Sequence, residues 1–135
     1  MSGVGRILFY SAETVEGLTA EINGAGQLVT LREMGPGTLT SCTHIASDGR
    51  RLLFYSKKNQ AGVTAEINGA GDLVTLKKFR PGSFGNWTHM ASDGRRLLFY
   101  SDESRSGEIA EINGAGDVIT LKNMQGMFSS WTHIV

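Results

Sequence analysis

One unit of sequence recurs through the chain at a fixed interval, and few folds can accommodate it. The string running from Cys42 to Ser56, CTHIASDGRRLLFYS, returns at Trp87 to Ser101 as WTHMASDGRRLLFYS. A further copy is divided between the two ends: its second half is GRILFYS at Gly5 to Ser11, and its first half is WTHI at Trp131 to Ile134. Tyr10, Tyr55 and Tyr100 stand 45 residues apart, as do Glu21, Glu66 and Glu111, each of which opens Glu-Ile-Asn-Gly-Ala-Gly. His44 and His89 keep the same interval, and His133 follows after 44 because the preceding loop is one residue shorter. Three repeats of 40–50 residues, approximately 5–49, 50–94 and 95–135, fill the 135-residue chain as one domain. A period of this size marks a repeat architecture. A repeat cut inside itself predicts closure by joining the first strand to the last.

Each repeat holds four strand candidates. The first is LLFYS or its variant. A variable polar loop follows, then a strand of the type VTAEI, then an Asn-Gly tight turn. The third strand is LVTL or VITL, and a glycine-containing loop leads to the fourth, WTHMAS. Ser-Asp-Gly-Arg turns the chain back to the next LLFYS. No window shows a 3.6-residue period, so no helix is expected. Gly is abundant at 18 residues and Pro scarce at 2, as suits an all-β chain with many tight turns.

The strands are apolar on both faces: Leu97 and Phe99 alternate with Leu98 and Tyr100, and Leu73 with Val74. A sheet with one wet face would alternate apolar with polar. Sheets covered on both faces are expected, and radially stacked four-stranded blades supply that cover. The expected fold is an all-β β-propeller with three blades per chain. Because propellers typically have four to eight blades, the ring would be completed by oligomerisation, most simply as a six-bladed homodimer. The alternative is a β-trefoil, a monomer of three four-stranded repeats.

The unit F-x-x-x-W-T-H-I-x-S-x-G-R-x-L-L-F-Y-S, carried by Phe84, Trp87, Asp93, Gly94, Phe99, Tyr100 and their equivalents, resembles the repeats of bacterial and invertebrate propeller lectins of the tachylectin type. The repeat lacks that family's Gly-Gly-Trp run before the inner strand. The resemblance implies a sugar-binding propeller with one shallow site per blade or blade interface.

Charge narrows the partners. Thirteen basic and thirteen acidic residues balance to zero, which gives no basic footprint for nucleic acid. No apolar run approaches the ~20 residues of a membrane helix, and the N-terminus shows no signal pattern. The expectation is cytoplasmic synthesis without membrane insertion, with the final location open. The single Cys42 has no partner for an internal disulfide.

No catalytic constellation or cofactor motif is present, so no enzyme activity and no cofactor are expected. The Asn-Gly-Ala-Gly string joins two strands and offers no helix N-terminus to a phosphate. The repeated polar residues carry more information. Glu21, Glu66 and Glu111 lie between apolar neighbours and call for a partner if buried. Arg6, Arg51 and Arg96, or the histidines, could pair with them. With Asn23, Asn68 and Asn113 they could instead accept sugar hydroxyl protons. Trp87 and Trp131 offer indoles to the apolar face of a pyranose, or else fill the core between blades. Cys42 replaces the indole in the first repeat. His44, His89 and His133 could meet on an axis as a metal site in a narrow trefoil, but hydrogen bonding in the inner strand or at a ligand is preferred, and no metal is expected.

The resulting expectation is a multivalent, non-catalytic carbohydrate-binding protein. Its ligand contacts would be Trp87 and Trp131, supported by Tyr10, Tyr55, Tyr100 and the His, Glu and Asn ladders; its partners would be glycans and a second copy of itself. The alternative is a structural or protein-interaction scaffold, or an engineered symmetric fragment.

Overall fold

The computed structural model describes residues 6–37 and 42–126. Within them every regular element is a strand. The first sheet is built from β1 (Arg6–Ser11), β2 (Glu16–Ile22) and β3 (Leu28–Met34) in that order. The second contains β4 (His44–Ser47), β5 (Arg51–Ser56), β6 (Ala61–Ile67) and β7 (Leu73–Phe79), again in chain order. The third contains β8 (His89–Ser92), β9 (Leu97–Ser101), β10 (Ser106–Ile112) and β11 (Val118–Met124). The strand pairings of the first and third sheets, and that of β4 with β5 in the second, are antiparallel. The register is the same from sheet to sheet: His44 lies opposite Tyr55, and His89 opposite Tyr100. The meander is thus observed, and each sheet draws its strands from consecutive stretches of chain. A trefoil would mix strands of different repeats in a shared barrel, so that alternative is excluded.

The turns explain the order. Asn68 Oδ1 accepts from the backbone amides of Ala70 and Asp72, at 3.0 and 2.9 Å, and closes the β6–β7 hairpin. Asn23 and Asn113 do the same for β2–β3 and β10–β11. At the other hairpin, Asp48 Oδ1 accepts from Arg50 and Arg51, and Asp93 Oδ1 from Arg95 and Arg96. Short side-chain acceptors that bond the backbone two to four residues on are the physical basis of such turns.

By contact density the chain divides into two compact units. One contains the first sheet and Glu66–Val74; the other contains Cys42–Ala65 and the chain from Thr75 onward. In the first unit, the Asn68 turn docks on the first sheet: Thr19 Oγ1 donates to the Gly71 carbonyl at 2.7 Å, and Arg32 pairs with Asp72 at 2.8 Å. In the second, the Asn113 turn docks one repeat later in the same way. Thr64 Oγ1 donates to the Gly116 carbonyl at 2.6 Å, and Lys77 pairs with Asp117 at 2.5 Å.

The core of the second unit is a cluster of Ala46, Leu53, Tyr55, Leu97, Phe99, Ala110 and Ile112, with Phe84, Trp87, Met90 and Val118 packed on it. Residues of both faces of β5 are buried from Leu52 to Tyr55. Each large apolar side chain fully buried here contributes about 1.5–3 kcal/mol. The expectation of cover on both faces fails at the last strand of each sheet. Leu28, Val29, Val74, Ile119 and Leu121 stay exposed on these edge strands.

Candidate functional site

The strands β4 and β8 lie side by side. His44 Nε2 donates to the Thr88 carbonyl at 3.0 Å, while its Nδ1 contacts Thr43 Oγ1 at 2.8 Å. His89 Nδ1 makes the same contact with Thr88 Oγ1, at 2.9 Å. Each imidazole also leans on the tyrosine opposite it, with centroids 5.8 and 5.7 Å apart. His44 is therefore a tie between neighbouring strands. Among the described residues no group of three or more His, Cys, Asp or Glu could hold a metal ion. His133 and Trp131 lie outside the described residues.

Tyr55 is fully buried. Its hydroxyl donates to the Gly85 carbonyl at 2.6 Å and accepts from the Trp87 amide at 3.1 Å. Burial pushes the Tyr55 phenol above its ordinary value of 10.0, and the hydrogen bond from Trp87 opposes that rise only in part. Tyr100 is fully buried as well, and Tyr10 half-buried. Tyr55 and Tyr100 offer a ligand no surface, which corrects the expectation that they touch sugar. The role of Tyr55 is to pin the segment 85–87.

That segment carries the indole. Trp87 stacks on Phe99, with centroids 5.7 Å apart and planes at 24°, and remains half-exposed. One face of this indole is packed against the core, and part of the side chain stays open. Beside it, Asn86 Nδ2 donates to Glu103 Oε1 at 3.4 Å, and the Asp102 amide donates to Thr88 Oγ1 at 3.0 Å. The sequence reading missed Asn86 and Glu103 because both stand in loops whose residues vary between repeats.

The asparagine ladder is a set of turn builders. The carbonyl oxygens of Asn23, Asn68 and Asn113 each accept two backbone amides, so they are already engaged as acceptors. The glutamates are partly buried. Glu21, Glu66 and Glu111 are half-exposed, and Glu111 Oε2 lies 3.8 Å from Arg96 Nε. Cys42, at the position of the indole, is half-buried and forms no disulfide. Val15, Gln60 and Arg105 hold the left-handed region at φ 56, 59 and 56°, at matching places in the variable loops. The sequence gives no glycine there to signal it. The loops are tied down, with the Gly37 amide donating to the Thr14 carbonyl and the Gly82 amide to the Asn59 carbonyl.

Three sequence-consecutive meander sheets with docked turns invite comparison with solved folds. The periplasmic gluconolactonase of Pseudomonas aeruginosa, a β-propeller, superposes on 92% of this chain at a TM-score of 0.50 and 19% identity. The fold is that of a β-propeller. The sheets are its blades, and β3, β7 and β11 are the edge strands that end them. The chain spans 40% of that neighbour's length. No family model matches the sequence, and no curated protein matches it.

Proposed function

We propose that this protein binds carbohydrate without turning it over, using Trp87 as the platform. The observation that carries the reading is the half-exposed indole, held by Phe99 on one side and by the Tyr55 hydroxyl through its backbone. A fixed aromatic ring with an open face suits the C–H face of a pyranose, and nearby polar groups can orient its hydroxyls. Asn86 and Glu103 supply an amide and a carboxylate next to it. The likeness to tachylectin-type repeats supports the same ligand class.

The test is a glycan array with the full chain, followed by titration of the best binder. Trp87→Ala should weaken binding at least ~10-fold, which is about 1.4 kcal/mol. Silence across the array overturns the reading in favour of a scaffold. The fold neighbour is described as a gluconolactonase, so hydrolysis of gluconolactone is assayed alongside; turnover that Trp87→Ala leaves intact overturns the non-catalytic reading.

A further inference from the structure

Within each compact unit a turn of one blade docks on the blade before it, and among the described residues each half of that joint appears once more in a more exposed form. Phe54 and Phe99 are 3% and 1% exposed, whereas Phe9, at the same place in the first blade, is 47% exposed. Ile112 is 4% exposed and its equivalent Ile22 is 52%. Gly71 and Gly116 are buried by the blade they dock on; a Cβ on Gly26 would meet nothing within 4 Å. The first blade therefore presents the docking half of the joint.

The third blade presents the receiving half. Leu53 and Thr64 are fully buried in the second blade, but their equivalents Leu98 and Ile109 are half-exposed. They line a cleft of about 480 Å³ with Ala91, Asp93 and Arg96. Leu121, which corresponds to Leu31 and Leu76, is 46% exposed. One residue departs from the internal contacts: where Thr19 and Thr64 donate to a docked glycine carbonyl, the third blade has apolar Ile109. A joint formed there buries apolar area at Ile109 in place of that hydrogen bond.

We propose that a second copy of this chain occupies the open face, head to tail: Phe9 and Ile22 of one copy pack on Ala91, Leu98 and Ile109 of the other. The internal joint supplies the template, since Phe99 packs in one cluster with Ala46 and Leu53, the equivalents of Ala91 and Leu98. The same register brings Gly26 against Leu121, and Gln27 against Lys122 where the internal joints pair Asp72 with Arg32 and Asp117 with Lys77. Two such joints between two copies complete six blades, and a head-to-tail contact is closed only when the rotation returns on itself. The inference rests on the propeller fold and stands whether or not sugar binds.

Solution mass of the full chain by light scattering tests the number of copies, and twice the 14.5 kDa chain mass is expected. One chain mass, or three or more, overturns the proposal. Leu98→Asp and Phe9→Lys should each give monomers with the β-sheet circular dichroism of the parent. Mixing the two should restore dimers, because each variant keeps the half that the other has lost. A Phe9→Lys variant that stays dimeric, or a mixture that stays monomeric, overturns the head-to-tail pairing. Surface cysteines supply a check that needs no core change. Gln27→Cys with Lys122→Cys should form a disulfide-linked dimer on oxidation, and failure to cross-link overturns the register.

Discussion

Single residues carry the joint, and Gly116 shows how. At φ +87° it sits in the region that glycine tolerates, and an added Cβ would stand 2.5 Å from Leu76 Cβ and 2.6 Å from Thr64 Oγ1. Gly116→Ala should cost at least ~2 kcal/mol through strain and overlap. Gly24→Ala, with open space around it, should stay within ~0.5 kcal/mol as a surface change; urea unfolding of both separates them. Tyr55→Phe keeps the ring but leaves the Gly85 carbonyl and Trp87 amide without their shared hydroxyl. A loss of ~1–3 kcal/mol is expected, with a red shift in tryptophan emission as the segment loosens. Two carboxylates contribute to the dependence of stability on acid pH. The amides of Arg96 and then Arg95 hold Asp93 below its ordinary 3.8, and Lys77 followed by Asn113 does so for Asp117. Their contribution is complete above 3.8 and is lost as pH falls through the depressed folded values. Denaturant midpoints measured from about pH 6 down to about pH 2 should fall less steeply for Asp93→Asn with Asp117→Asn than for the parent.

At the scale of strands, burial is graded across the second and third blades. In the second blade β5 is buried from Leu52 to Tyr55, while β7 exposes Val74, Thr75, Lys77 and Lys78. Hydrogen exchange should follow that gradient, slow in β5 and β9 and fast in β3, β7 and β11; uniform protection would contradict it. Much of this pattern was legible in the residues. The Asn-Gly and Asp-Gly turns fixed the hairpins, and the two-sided apolar run LLFYS announced a strand covered on both faces. LVTL misled because its apolar residues look equally two-sided, yet Val29 and Val74 stay exposed on edge strands. The site was less legible. Tyr55 and Asn68 repeat for structural reasons, and a repeated polar residue looks the same whether it builds a turn or touches a ligand. Asn86 and Glu103 stand in loops whose residues vary between repeats, where periodicity says little.

For the whole molecule, the proposed sugar site and the proposed joint would act together. Two copies would bring two Trp87 platforms into one particle, and linked weak sites gain avidity without new contacts. Agglutination of glycan-coated beads by the parent should be lost in the monomeric Leu98→Asp variant, while affinity for a single free sugar stays within about twofold. Equal loss of both would mean that the assembly builds the site rather than multiplying it.

The clasp between a threonine hydroxyl and a docked glycine carbonyl spans 52 residues at both places where it forms. Neither clasp can close until the repeat that follows has been made. On the ribosome each blade must therefore wait for its successor to emerge, and the chain locks into place one repeat behind its own synthesis.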